Sequence, residues 1–257
     1  MLRAENISFR IKQKFLLHES TIPFETGKFH VIMGANGAGK TTLLRLLAGD
    51  QKPSTGKIIL FNKDLNDFSK KELATRRAVL SQHYNVSFPI SVNDIVLMGR
   101  YPYFQNNPNS NDLAICRQAM QLMDVHDLSE RDYNTLSGGE AQKVQMSRVL
   151  SQIWEAKEGE EKLLFLDEPV SHLDIKYQYQ LLTAAKNLCH QNTTVIAILH
   201  DINLSIAYAD RILFMKQGKI VHDTTGLSAI TREVIHEVFD VKSSILHPPN
   251  HKPVVIF

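Results

Sequence analysis

The residues best equipped for chemistry fall into short groups spread along the chain. Gly34 to Thr41 reads GANGAGKT, the spacing G-x-x-x-x-G-K-[ST], between a run that predicts a strand (28–33) and one that predicts a helix (40–49). Glycines at such a junction let backbone N–H groups face phosphate oxygens without Cβ obstruction, and the helix N-terminus adds partial positive charge. Gly34, Ala35, Asn36, Gly37, Ala38 and Gly39 are therefore the expected cradle for a nucleotide's phosphates. Lys40 would reach the β- and γ-phosphates, Thr41 would ligate Mg2+, and Thr42 is placed for the α-phosphate. A second group, KLLFLDEP (162–169), ends an apolar run in two carboxylates. Asp167 suits a Mg2+ ion held through water, and Glu168 suits the orienting and deprotonating of an attacking water. Gln82 and His200 follow two further apolar runs; the histidine could donate to a γ-phosphate, and the glutamine could contact Mg2+ or water.

A third group raises a question. TLSGGEAQKVQMS (135–147) predicts a helix start, with Ser137 as cap and Glu140 completing a capping box. Paired glycines at the first turn cost stability and add no packing, so Gly138 and Gly139 make sense where a ligand approaches bare backbone.

The elements that must position these groups can be read from periodicity. Short apolar strands alternate with helical patterns, which predicts an α/β domain with a largely parallel, buried sheet. Strands are expected at 28–33, 57–61, 77–81, 162–166, 194–199 and 211–222, the last a hairpin turning at Gln217-Gly218. Ser69 to Glu72 predicts a capping box for a short helix. Between about 85 and 155 helical signals replace strand signals, giving helices from Ser91, over 111–123 and over 139–154, and the acidic loop 155–161 closes this insert. In such a sheet, ligands bind at the carboxyl ends of the strands, where the glycine loop, Gln82, Asp167, Glu168 and His200 would converge.

Composition narrows the function classes. At 257 residues and 43% hydrophobic, the chain can bury a substantial core. Its net charge of +2, with basic residues scattered, gives no footprint of a nucleic-acid partner. Cys116 and Cys189 lack a CxxC context and suit reduced cytosolic thiols. The first residues lack the apolar core of a signal peptide, and no apolar run approaches the ~20 residues that span a bilayer. Any work at a membrane is expected to go through a partner.

GANGAGKTT, Gln82, LSGGE, LLFLDEP, SHLD (171–174) and His200 stand in the order of the Walker A, Q-loop, signature, Walker B, D-loop and switch histidine of an ATP-binding-cassette ATPase. The resemblance covers nearly the whole chain. It implies a P-loop NTPase fold: a RecA-like parallel-sheet core with an antiparallel β subdomain (1–85 and 156–257), into which a helical subdomain (about 86–155) is inserted. In this family two cassettes pair head to tail, each signature helix capping the nucleotide in the other's P-loop. The resemblance thus assigns Ser137, Gly138 and Gly139 to the γ-phosphate of a second copy's ATP, with ATP and Mg2+ as cofactors and a homodimer as the working form. Some positions depart from the family pattern. Ile11 stands where an aromatic usually stacks on adenine, and Phe9 or Phe15 could serve instead or belong to the core. Val170 and His172 replace the commoner Thr and Ala, and Ala35 replaces Pro.

SFPISVNDIVLMGRYPYF (87–104) resembles the iron-chelate, cobalamin and haem importer branch, where this region receives the coupling helix of a membrane subunit; Tyr101, Tyr103 and Phe104 suit such a groove. The stretch 148–182, with Gln178 in its last helix, is most similar to the haemin-importer ATPases, as is the tail HPPNHKPVVIF. His247 and His251 in that tail are better read as structural than as metal ligands. The resemblance implies an ATP hydrolase at the cytoplasmic face of the bacterial inner membrane, working with two integral-membrane permease subunits. A periplasmic substrate-binding protein would take part indirectly, and no nucleic acid would be involved. The alternatives are an importer of ferric siderophores or cobalamin, and a non-transport cassette acting as a switch on nucleic acid or the ribosome.

Overall fold

The computed structural model describes residues 1–82, 84, 86–155, 159–171, 173–226 and 229–257. The departure noted at His172 and part of the acidic loop lie outside the described residues. The chain opens with β1 (Leu2–Ile11) and β2 (Lys14–Phe24), folded back on each other in antiparallel register. β3 (Phe29–Gly34) follows with every residue buried, and the glycine loop leads from it into α1 (Lys40–Ala48). β4 (Thr55–Leu60) and β5 (Lys63–Asp64) return to β1, completing a four-stranded antiparallel sheet in the order β2-β1-β4-β5.

Next come α2 (Lys70–Arg76), with the expected Ser69–Glu72 capping box, and β6 (Arg77–Leu80). The helical stretch then supplies α3 (Val92–Leu97), α4 (Ser110–Leu122) and α5 (Gly138–Ile153). The chain returns to the sheet with β7 (Lys162–Asp167), α6 (Ile175–Cys189), β8 (Thr193–Ile198) and α7 (Ile202–Tyr208). It ends with β9 (Arg211–Lys216), β10 (Lys219–Thr224), α8 (Arg232–Phe239), β11 (Ser244–Leu246) and β12 (Val254–Ile256). No helix among the described residues is long and apolar enough to cross a membrane.

The main sheet has six strands in the order β10-β9-β3-β8-β7-β6, parallel throughout except for the β9–β10 hairpin at one edge. Its continuous apolar strands are what a sheet covered on both faces requires. β3 shows the division: Val31 and Met33 point into a core shared with α3, α4 and α5, while Ile32 points into one shared with α1 and the four-stranded sheet. The carboxyl ends of β3, β6, β7 and β8 therefore open at one edge, which is where the chemical groups gather.

The segment after α3 is built around a buried charge. Arg100 is 2% exposed and donates from Nε to Asp112 Oδ1 (3.0 Å), from Nη1 to Ser151 O (3.0 Å) and from Nη2 to Glu155 Oε2 (3.0 Å). Its guanidinium also lies 3.9 Å from the ring centre of Tyr103. Gly99 lets this segment sit against α5, since a Cβ there would come within 2.2 Å of Arg148 O. Tyr103 is accordingly not the exposed aromatic expected from sequence: it is half-buried and donates to Gln152 O at 2.7 Å. Burial pushes its phenol up to about 12, so it remains a donor. Phe104, also expected to be exposed, is half-buried, while Tyr101 stays exposed and meets it edge-on, with ring centres 5.7 Å apart.

The C-terminal hairpin is held as structure. Asn203 donates to Val255 O (3.0 Å) and accepts from Val255 N–H (2.8 Å), while the Lys252 ammonium caps the Ile206 and Ala207 carbonyls at the end of α7. His247 and His251 are exposed, and among the described residues no three His, Cys, Asp or Glu side chains gather as a metal site would require.

Asp112 is 1% exposed, so Asp112→Ala leaves Arg100 buried beside an empty partner position. The expected cost is about 3 kcal/mol, read as a lowered midpoint in urea unfolding with an unchanged slope.

Candidate nucleotide site

The glycine loop is shaped by close backbone approaches. Gly34 pairs with Met215 across the sheet, and a Cβ on it would lie 2.2 Å from Met215 O. Gly39 has φ +100, and a Cβ there would lie 2.5 Å from Leu16 O. The turn between β9 and β10 braces the loop from outside, with Gly218 N–H donating to Ala38 O at 2.9 Å. The loop is thus wedged between two neighbouring backbones, and only glycine fits at both contacts.

Lys40, 6% exposed, lies over the loop and donates to Gly34 O (2.9 Å) and Ala35 O (3.1 Å). Burial lowers the pKa of its ammonium, opposed by the charges of Glu168 and Asp167. Thr41 donates to Asp167 Oδ1 at 3.4 Å. Burial pushes the Asp167 carboxyl up, and the neighbouring Glu168 charge adds to the shift. The pair offers hard oxygen donors at a point where a divalent cation would offset buried negative charge, so the donor set fits Mg2+.

Glu168 follows the end of β7 in a left-handed backbone conformation, φ +53, which turns it out of the strand. Its carboxylate is gripped from two sides: Gln82 Nε2 donates to Oε2 at 2.7 Å, and His200 Nε2 lies 2.6 Å from Oε1. These groups share one cavity of about 670 Å³ with Asn36, Gly37, Ala38, Gly39, Lys40, Thr41 and Thr42.

Comparisons with known proteins identify the family to which this fold belongs. The family model described as ABC transporter matches residues 17–171, more than half of the chain. The chain belongs to the ABC transporter family. Over 100% of its length the cassette is 40% identical to the "Hemin import ATP-binding protein HmuV" of Escherichia coli O157:H7, covering 99% of that protein. A protein of the same description from Rhodopseudomonas palustris (strain BisB5) is 42% identical over 99% of the cassette and 96% of its own length. Among solved structures, a chain of an inward-facing transporter described as metal-chelate type is 27% identical and covers 100% of the cassette and 97% of that chain, with a TM-score of 0.78. A dimeric bacterial cassette at 22% identity, with a TM-score of 0.77 over 88% of this chain and 98% of its own, shares the fold.

One group expected to bind phosphate stands apart. Ser137, Gly138 and Gly139 open α5 with a complete capping box, Glu140 N–H donating to Ser137 Oγ (3.3 Å) and Ser137 N–H to Glu140 Oε2 (2.8 Å). None of the three lines the cavity, and Ser137 and Gly138 are exposed. The candidates for a base-stacking side chain stand apart too. Phe9 packs against the core beneath the four-stranded sheet, Ile11 is exposed, and Phe15 is exposed and stacks on His18 with ring centres 5.2 Å apart. The cavity wall on that side is Leu16, a residue that no motif in the sequence singles out. A signal was present: three consecutive apolar residues, Phe15 to Leu17, break the alternation of a half-buried strand, so one must face something other than the core.

Gly39→Ala forces a strained φ and a collision with backbone that cannot yield. The cassette carrying it is expected to bind a fluorescent ATP analogue about tenfold or more weakly in equilibrium titration.

Proposed function

We propose that this cassette is the ATP-hydrolysing subunit of a haemin importer, paired with a second copy of itself and seated on two membrane permease subunits at the cytoplasmic face of the bacterial inner membrane. It is one cassette over 1–257, with the helical segment of about 86–155 inserted between 1–85 and 156–257. The observation that carries ATP hydrolysis is the Glu168 carboxylate held between Gln82 and His200 in the same cavity as Lys40 and Thr41. Full-length similarity of about 40% to proteins described as haemin import ATP-binding proteins supports the transported molecule.

The loop from Gly34 to Gly39 receives the phosphates on its N–H groups, and Lys40 exchanges its two loop carbonyls for phosphate oxygens. Thr41, Asp167 and Gln82 would hold Mg2+, which when bound neutralises charge on the β- and γ-phosphates. Glu168 orients water and takes its proton at a carboxylate oxygen as the water's oxygen bonds to the γ-phosphorus and the bond to the β-phosphate's bridging oxygen breaks. His200 donates to a γ-phosphate oxygen, and Gln82 keeps the carboxylate facing the cavity. Ser137, Gly138 and Gly139 lie outside their own chain's cavity, which supports their serving as the lid on a partner's ATP. Tyr101 and Phe104 form the ledge available to a permease helix, and a periplasmic binding protein would act only through that permease.

Glu168→Gln removes the proton acceptor and keeps the side chain's shape. ATP binding should persist while turnover falls ~10²–10⁴-fold and an ATP-bound dimer accumulates on gel filtration. Wild-type turnover in that variant overturns the assignment of the base. Gly138→Asp should abolish turnover yet leave ATP binding to the isolated monomer unchanged; equal loss of monomer binding overturns the trans lid. For the cargo, vesicles holding the cassette with its permease should take up haemin on ATP addition. Uptake of a ferric siderophore or cobalamin with haemin excluded overturns haemin.

A further inference from the structure

We infer that Gln142 is a positioning residue for the catalytic glutamate, tying the turn that carries Glu168 to the helix that carries the chain's own Gly138 and Gly139. The inference rests on the paired-cassette reading above. α5 buries several polar side chains, Gln142, Lys143, Gln145, Ser147 and Ser151. Lys143, Gln145, Ser147 and Ser151 bond among the helices and their connections, to Asp124 O, Tyr133 Oη, Ala119 O and Val96 O. Gln142 instead leaves the helical layer and donates from Nε2 to Pro169 O at 3.0 Å, a bond between buried groups.

Pro169 directly follows Glu168 and, being proline, offers this turn a carbonyl and no N–H. Glu168 O is held by Ser171, whose N–H (3.3 Å) and Oγ (2.8 Å) both donate to it. The next carbonyl along is buried and takes its hydrogen from Gln142. An unmet buried carbonyl is costly, so this bond fixes where the turn sits. The φ of +53 at Glu168 makes the direction of its side chain depend on that turn's placement. Gln142 lies one helical turn beyond Gly138 and on the same face of α5. In a pair of cassettes, the lid over the partner's nucleotide and the base over the chain's own would then be joined through one hydrogen bond. Gln142 does not line the nucleotide cavity, so it acts through Glu168 and makes no contact with substrate.

The test is Gln142→Met in the full chain, which keeps side-chain length and removes the donor. ATP affinity and KM should stay within about twofold of wild type while kcat falls about tenfold. In a Glu168→Gln background, where the positioned group is already disabled, Gln142→Met should lower residual turnover no further, and the ATP-bound dimer should still form. Wild-type kcat, an equal fall in both backgrounds, or loss of the trapped dimer overturns the inference. Should Gln142→Met fail to fold, Gln142→Asn, one methylene too short to reach Pro169, carries the same readouts. If Glu168→Gln alone neither slows hydrolysis nor traps a dimer, the paired-cassette reading falls and takes this inference with it. If it does both while Gln142→Met matches wild type, the inference alone falls.

Discussion

A loop that offers its backbone N–H groups to phosphate can use few of them for its own shape; here Ala38 N–H donates within the loop to Ala35 O at 3.1 Å. The rest of this fold answers that constraint. The glycine loop is held from outside, by Met215 O against Gly34, by Leu16 O against Gly39 and by the Gly218 N–H on Ala38 O. Each brace comes from a different strand or turn, so the antiparallel sheet and the β9–β10 hairpin shape the proposed phosphate site even where their side chains never reach it. The parallel order β9-β3-β8-β7-β6 then delivers Asp167, Glu168, Gln82 and His200 to the same edge.

α5 is the second organising element. Its apolar positions Val144, Val149 and Leu150 bury it in the larger core, yet it also carries more buried polar groups than packing alone would explain. Those groups make the helix a strut with specified attachments: to α4 through Ser147, to α3 through Ser151, to the turn after β7 through Gln142. Arg148 adds a further tie, donating to the Tyr84 hydroxyl at 3.1 Å just beyond Gln82. A largely buried hydrogen-bonded network of this kind favours one arrangement over its neighbours.

What could be read from sequence was whatever chemistry dictates locally. Phosphate binding demands glycine, lysine and threonine at fixed spacing, and a buried strand ending in Asp167-Glu168 declares itself by contrast with the apolar run before it. The capping boxes at Ser69 and Ser137 and the turn at Gln217-Gly218 were legible for the same reason, since each is settled within a few residues. The unread features depend on partners far along the chain. Leu16 forms the cavity wall only because β2 lies beside the glycine loop, and Gln142 matters only because Pro169 arrives 27 residues later. Tyr103 looked like a surface aromatic because nothing nearby announces that Gly99 will let its segment drop onto α5 and bury Arg100 beneath it.

Lys40 has a consequence of its own. Its ammonium rests on the carbonyls of Gly34 and Ala35, so the positive charge of the cradle is pinned by the loop itself. With this lysine pinned and the backbone braced by Leu16, Met215 and Gly218, the loop is a receptor whose shape its neighbours settle. Capture of a phosphate ligand by so settled a loop would lose little ordering entropy, which would leave the arrival rate to diffusion and charge attraction and affinity to the rate of departure.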